Sequence, residues 1–257
     1  MNPPPGVAIL GLGYLGLPLA EALHRRGHPL LAARRSVPPQ ALPFALQTVD
    51  IGHAAAHDWS AWAAYPIWVC LLPPSGSPDY VAGLSHWLQQ ARALGVQQVI
   101  YSSSISVYGN AQGHCDEHLP VQPQTDSARK VAAAETAFLA SGVANVDVLR
   151  LGGLYSDGRH PLFSLQKKPL NGGGAQPVNM LSQQQAVAAL LQAIAQPGGV
   201  RVRNLVAPQH PPKRQFYRAE AERLGVAAPL FDPQDHTCNG KIVRSAYRDF
   251  DAVFTEN

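Results

Sequence analysis

A glycine triplet near the N-terminus constrains the fold of this chain more than any other feature. The apolar run Val7-Ala8-Ile9-Leu10 feeds directly into Gly11-Leu12-Gly13-Tyr14-Leu15-Gly16, and residues 17–26 then read as a helix that stops before Gly27. In a strand-turn-helix unit of this kind the first glycine permits the tight turn. The second lets the backbone approach a pyrophosphate, and the third lets helix and strand pack closely. The free N–H groups of the helix start then point at the phosphates. The spacing therefore predicts a dinucleotide site built from Gly11, Gly13, Tyr14, Leu15 and Gly16. The alternative is a glycine-punctuated buried turn with no ligand.

The next strand bears on which dinucleotide is bound. Residues 29–33 (Pro-Leu-Leu-Ala-Ala) read as that strand, and an NAD-preferring site would place Asp or Glu at its end for the ribose 2′-hydroxyl. No acidic residue occurs between Ala22 and Val49; Arg34 and Arg35 stand there instead. A guanidinium fork suits a 2′-phosphate, so NADP is expected ahead of NAD, the alternative being a solvated surface pair.

Strand-like and helical runs alternate through the first 150 residues, the pattern of a parallel sheet built from βαβ units. Strands are predicted at 8–10, 30–33, 46–49, 67–72, 98–102 and 146–151, with helices at 17–26, 80–94 and 127–140. Ser127 or Asp126 would cap the last of these. Beyond Leu154 the pattern loosens around Asn171-Gly172-Gly173-Gly174, with helices expected at 182–195 and 215–224 and a strand at 202–206. The expected fold is α/β, a Rossmann-type doubly wound parallel sheet spanning 1–155, with a smaller C-terminal substrate-side region at 156–257 interleaved with it. Leu72, Pro73 and Ser102, at the ends of neighbouring strands, complete the expected cofactor set. Short proline pairs occur at Pro38-Pro39, Pro73-Pro74 and Pro211-Pro212.

Composition excludes several classes. Only 14% of the 257 residues are charged and 46% are hydrophobic, so the chain can bury a sizeable core and is not disordered. A net charge of +3 with no basic cluster interleaved with aromatics gives no nucleic-acid face. Cys70, Cys115 and Cys238 lie far apart, and the histidines show no metal-ligand spacing, so no metal site is expected. The N-terminal residues lack a basic start and a long apolar core, and no uninterrupted apolar run is long enough for a membrane span. A cytoplasmic protein with a small-molecule substrate is the expectation.

The segment Tyr101-Ser102-Ser103-Ser104-Ile105-Ser106-Val107-Tyr108-Gly109 leaves the fifth predicted strand on the ligand edge of the sheet. It resembles the Ser-Ser-x-x-Val-Tyr-Gly stretch of the extended short-chain dehydrogenase/reductase superfamily. Val49-Asp50-Ile51 resembles that superfamily's adenine-contacting Asp plus apolar residue, which places Asp50 and Ile51 in the cofactor set. Asp116-Glu117-His118-Leu119-Pro120 is similar to its acidic-x-x-Pro loop, and Leu149-Arg150-Leu151 through Tyr155 to Gly158-Arg159 resembles its Leu-Arg, Tyr and Gly-Arg segment. Within the superfamily the chain is most similar to the YeeZ-type bacterial branch. Gly11 to Ala20, Ser104 to Gly113, Gly158 to Pro161 and Gly240-Lys241-Ile242 carry that likeness.

Departures from the superfamily matter equally. Leu10 replaces the first of its usual glycines. Its catalytic Tyr-x-x-x-Lys should open the helix near residue 127, but alignment on Glu135 puts Ser127 and Val131 at those places. A one-residue shift recovers Lys130 and sets Asp126 where the tyrosine belongs. The family tyrosine moves the proton and the lysine lowers its pKa, so loss of both removes the usual acid/base pair. Ser182-Gln183-Gln184-Gln185 stands where a His-x-x-Asp is common.

Substitutes are available. Ser104 matches the family's hydrogen-bonding serine, while Ser102, Ser103 and Ser106 could equally satisfy strand-end backbone groups. Tyr108 is either a phenolic proton source or a buried packing residue. Ser127 and Arg129 lie where the missing pair would be, and Arg129 could hold an anionic substrate or an oxyanion, or be a solvated helix-face residue. His114, His118 and His160 are predicted on cleft-side loops, His160 being the strongest acid/base candidate of the three.

The resemblance implies an NAD(P)-dependent oxidoreductase or sugar-nucleotide-modifying enzyme. Its rivals are an NADP(H)-binding regulator or scaffold with reduced catalysis, and an epimerase or dehydratase that retains its cofactor. A nucleotide sugar is then among the candidate substrates. Family members often pair through helices beside the sheet; the alanine-rich stretch 131–140 is compatible with a homodimer and equally with ordinary core packing.

Overall fold

The computed structural model describes residues 3–36, 41–75 and 77–255, so the Pro38-Pro39 pair lies outside the described residues. Its elements follow in chain order as β1 Val7–Leu10, α1 Gly16–Arg25, β2 Leu30–Arg34, β3 Ala45–Thr48, β4 Ile67–Cys70, α2 Tyr80–Ala93 and β5 Gln98–Ser104. They continue as β6 Gly113–Cys115, α3 Asp126–Leu139, β7 Asn145–Leu151, β8 Gly153–Tyr155, α4 Leu162–Leu165, β9 Met180–Ser182, α5 Gln183–Ala195, β10 Val200–Leu205, α6 Lys213–Leu224 and β11 Lys241–Val243.

Seven strands form one sheet in the order β10-β7-β5-β4-β1-β2-β3, and every pair in it is parallel. The strand order reverses between β1 and β4, and open sheets of this kind bind ligands in the crevice beyond the carboxyl ends of such strands. β1 and β4 are buried at every position, as expected of strands covered on both faces. Two short parallel pairs, β6 with β11 and β8 with β9, lie outside this sheet.

Each face of the sheet has its own core. One side gathers Trp59, Trp62, Trp68 and Trp87 with Phe138 of α3, the Trp62 and Trp68 rings lying 4.9 Å apart edge to face. The other buries Leu19 and Leu23 of α1 against Leu190 and Ile194 of α5. A small third cluster joins Leu162, Tyr217 and Ala221 with Phe163, Phe216 and Phe231.

The predicted strands and helices match to within a few residues. The start of α3 is a difference: Thr125, not Ser127 or Asp126, caps it, its Oγ1 accepting from the Ala128 N–H at 3.1 Å. Ser182 caps α5 in a reciprocal box with Gln185, which gives the Ser-Gln-Gln-Gln segment a helix-starting role. Of the stretch 131–140, Val131, Ala134 and Phe138 are buried in the protein's own core. Among the described residues no helix is long and apolar enough to cross a membrane, and no group of His, Cys, Asp and Glu could hold a metal ion.

Candidate active site

A cavity of about 670 Å³ opens at the carboxyl ends of β1, β2, β4 and β5. Its walls are the turn Gly11 to Leu15, the strand-end residues Arg34, Arg35 and Ser36, the stretch Leu71 to Pro74 and the serines 102–104. Val131 of α3, the segment from Leu151 to Leu154 and Arg159 complete it. Ten of the predicted cofactor and site residues therefore meet in one place: Gly11, Gly13, Tyr14, Leu15, Arg34, Arg35, Leu72, Pro73, Ser102 and Ser104.

The glycine turn behaves as its spacing requires. Gly11 has φ +107°, a conformation that L side chains rarely adopt, and its N–H donates to the Ala33 carbonyl at 2.9 Å. A Cβ on Gly16 would sit 2.1 Å from the Gly11 carbonyl oxygen, so only glycine lets α1 start this close to the turn. Gly13 differs from both: it is exposed, and a Cβ there would meet nothing within 4 Å. No side chain caps α1 and no acidic residue stands in its first turn, which leaves its N-terminal dipole open to an anion. Gly13 thus leaves open space at the helix start, and Arg34 and Arg35, at the end of β2, stand on the wall of the same cavity.

Buried tyrosines fix the opposite wall. The Tyr80 hydroxyl donates to the Leu72 carbonyl at 2.9 Å and sits 3.0 Å from the Tyr101 hydroxyl. Burial raises both phenol pKa values, so both remain neutral spacers. Ser102 donates to the Cys70 carbonyl at 3.3 Å, and Ser104 accepts from the Ser106 N–H at 3.1 Å, capping the 3₁₀ turn Ile105–Tyr108.

Behind the serines lies a polar network that sequence reasoning did not assemble. The Ser103 hydroxyl donates to Glu135, which receives Arg150 through both oxygens at 2.9 and 2.7 Å. Arg150 also donates to the Tyr108 hydroxyl at 2.8 Å, and that hydroxyl lies 2.9 Å from both the Asp116 carbonyl and Asn204 Oδ1. In the sequence Glu135 stands in an alanine-rich helical run and Arg150 in a strand-like one, and neither position by itself points to the other. A pair of opposite charges amid two apolar runs was the available signal. The acidic loop is tied into the same region, because Glu117 accepts from Asn204 N–H, the Ser245 hydroxyl and Ala246 N–H at 2.6, 2.7 and 2.8 Å.

Other predicted residues lie elsewhere. Gly16 is buried beneath the turn. Asp50 is outside the cavity wall and caps the 3₁₀ turn Ile51–Ala56 by accepting from Gly52 N–H at 3.0 Å, while Ile51 is buried. Tyr108 is 1% exposed with its hydroxyl engaged as above. Ser127 is exposed on a shallower pocket shared with Asp126 and Lys130, whose amine donates to the Ser77 carbonyl at 3.1 Å. Arg129 is exposed and pairs with Asp126 at 2.5 Å.

His160, expected on a cleft-side loop, is instead buried among aromatic rings. Its Nδ1 accepts from Leu162 N–H at 3.1 Å, its Nε2 lies 3.4 Å from Glu220, and Tyr155, Phe163, Phe216 and Tyr217 surround it. Burial lowers its pKa against the opposing pull of Glu220. Of the other two histidines, His118 tilts against Tyr247 and His114 is exposed in β6.

Strand order, glycine turn and cavity together define an α/β protein with a Rossmann-type doubly wound sheet. A candidate NAD-dependent epimerase/dehydratase from Methylobacillus flagellatus has the same fold, with a TM-score of 0.80 at 24% identity over 98% of this chain and 93% of that one. WbmG of Bordetella bronchiseptica, solved in complex with NAD and UDP, gives a TM-score of 0.75 at 18% identity over 93% of this chain and 86% of its own. The chain belongs to the YeeZ family: it is 32% identical to Protein YeeZ of Escherichia coli K12 over 254 residues, covering 92% of this chain and 90% of that protein. No family model matches it.

Proposed function

We propose that the cavity holds a nicotinamide dinucleotide, NADP(H) in preference to NAD(H), and that the chain is an oxidoreductase or sugar-nucleotide-modifying enzyme lacking the usual Tyr-x-x-x-Lys pair. The observation that carries this reading is the open space over Gly13 at an uncapped helix start, in a cavity that runs to Arg34 and Arg35. Backbone N–H groups of the turn hold the pyrophosphate, and the two guanidiniums receive the 2′-phosphate. When bound, the dinucleotide supplies or accepts a hydride at the nicotinamide C4.

Ser104 orients the substrate oxygen from the end of β5. Val131 lines the cavity where the family lysine would stand, and Lys130 is turned to Ser77, so neither residue offers an amine to the cofactor ribose. Tyr108 and His160 are outside the wall, which leaves water as the proton source. A nucleotide sugar as substrate is supported by the likeness to WbmG, which binds NAD and UDP.

A second reading has its own support. Apart from arginines, Tyr14 is the one titratable side chain among the described wall residues, a composition that suits an NADP(H)-binding regulator with reduced catalysis. Calorimetric titration with NADPH, NADP, NADH and NAD, repeated on Arg34→Ala/Arg35→Ala, tests the cofactor claim common to both. The expected result is micromolar NADPH binding that weakens about tenfold or more in the variant, with NADH little changed. No binding by any of the four overturns it. Hydride transfer to a carbonyl panel then separates enzyme from regulator.

A further inference from the structure

The cavity wall contains three cations and, among the described residues, no carboxylate. Two of the cations, Arg34 and Arg35, stand at the end of β2, where the proposed cofactor places its adenosine. The third comes from a different part of the chain. Arg159 follows β8, in the C-terminal region, and reaches the cavity by a tight turn in which Ser156 and Arg159 exchange both backbone hydrogen bonds.

Its guanidinium makes no ion pair among the described residues and lies over the ring of Tyr14, 4.6 Å from the centroid. The neighbouring carboxylate does not neutralise it, because Asp157 is held by Arg223 at 2.7 Å, and Glu220 faces His160 and the same Arg223. The Tyr14 hydroxyl beneath it is buried with no hydrogen-bond partner. Tyr14 itself is tethered from behind, its carbonyl accepting from the Gln183 amide at 2.7 Å. A guanidinium held over an aromatic face leaves the N–H donors at its own edge available, so it is arranged for an oxyanion.

We propose that Arg159, set on Tyr14, is the anion anchor of the substrate half of this cavity, so that the substrate presents a carboxylate or a phosphate there. The inference rests on the dinucleotide reading above, since the glycine turn and the β2 arginines already serve the cofactor's own phosphates. Arg159 is the cation left over. A neutral carbonyl compound would bring this guanidinium no counter-charge, whereas a carboxylate or phosphate would gain charge-assisted hydrogen bonds from it.

The experiment is calorimetric titration of the full chain with malonate and with inorganic phosphate, the carboxylate and phosphate probes, with and without saturating dinucleotide. With dinucleotide bound, at least one probe is expected to bind, about tenfold or more weakly in Arg159→Ala and to within a few-fold of wild type in Arg159→Lys. Whichever probe binds identifies the oxyanion. Dinucleotide affinity is expected to be the same in wild type and Arg159→Ala. The proposal is overturned if neither probe binds the wild type, if Arg159→Ala leaves probe affinity unchanged, or if it weakens dinucleotide binding equally, which would assign Arg159 to the cofactor. Should no dinucleotide bind, the functional reading falls by itself. The malonate titration of the dinucleotide-free protein then decides the anchor by the same comparison.

Discussion

Arg150 and Glu135 close a two-pronged ion pair inside the protein, Nε to Oε1 at 2.9 Å and Nη2 to Oε2 at 2.7 Å, with both side chains less than a tenth exposed. The pair joins α3 to β7, and its spare atoms reach Ser103 on one side and Tyr108 on the other. Removing either partner leaves an uncompensated buried charge. Glu135→Ala or Arg150→Ala should therefore cost about 3–5 kcal/mol, whereas an apolar replacement of both, Glu135→Leu with Arg150→Met, should recover much of that loss. Urea unfolding of the four proteins measures this; a double variant no better than the singles would contradict it.

Gly13 and Gly16 should separate binding from folding. A methyl on Gly16 would collide with the Gly11 carbonyl, so Gly16→Ala should destabilise the chain by about 1–3 kcal/mol. Gly13 has open space and a negative or extended φ, so Gly13→Val should leave the melting temperature close to wild type while abolishing dinucleotide binding. Thermal unfolding and cofactor titration on the same preparations read both effects.

Stability should fall as the solution is acidified below pH 6.5. Burial lowers the pKa of His57, His160 and His210 below their ordinary value of 6.5. In that window the unfolded chain takes up protons that the folded chain resists, so this contribution is complete above pH 6.5 and is lost as pH drops toward the folded values. Asp58 and Arg223 pull on His57 and His160 in opposite senses, and Arg244 and His114 add to the effect at His210. Urea midpoints at pH 7.5 and 5.5 check the sign, and His210→Gln should show the shallower dependence.

Ser104→Ala should lower turnover about 10- to 100-fold with a substrate identified by screening, while dinucleotide affinity stays unchanged. Because the hydroxyl also caps the 3₁₀ turn Ile105–Tyr108, a stability cost of about 1 kcal/mol should accompany it. Unchanged kcat/KM would remove Ser104 from the mechanism.

The local parts of this protein were readable from residue order alone, because the information for them is local. The spacing of Gly11, Gly13 and Gly16 encodes steric contacts within one turn, and the apolar runs of β1, β4 and β7 encode burial on both faces. What escaped depends on distant partners. β6 exists only because Lys241–Val243 pairs with it, and β8 only because Met180–Ser182 does. His160 lies in a loop as expected, but its burial was not legible because the rings that enclose it, Phe216 and Tyr217, arrive on α6. Tyr108 could not be separated from a proton donor until Arg150 and Asn204 were seen to claim its hydroxyl. Arg159 was legible as part of a motif; its place over Tyr14 was not.

The outermost strand beside β7 is β10, which is made some fifty residues later in synthesis by any count of the chain's own numbering (Asn145–Leu151 against Val200–Leu205). During translation, then, the backbone N–H and C=O groups on the outer edge of β7 have no strand to pair with until Val200–Leu205 has left the ribosome. An open edge of that kind templates association with other chains. Cutting the chain between these two strands would leave that edge permanently open.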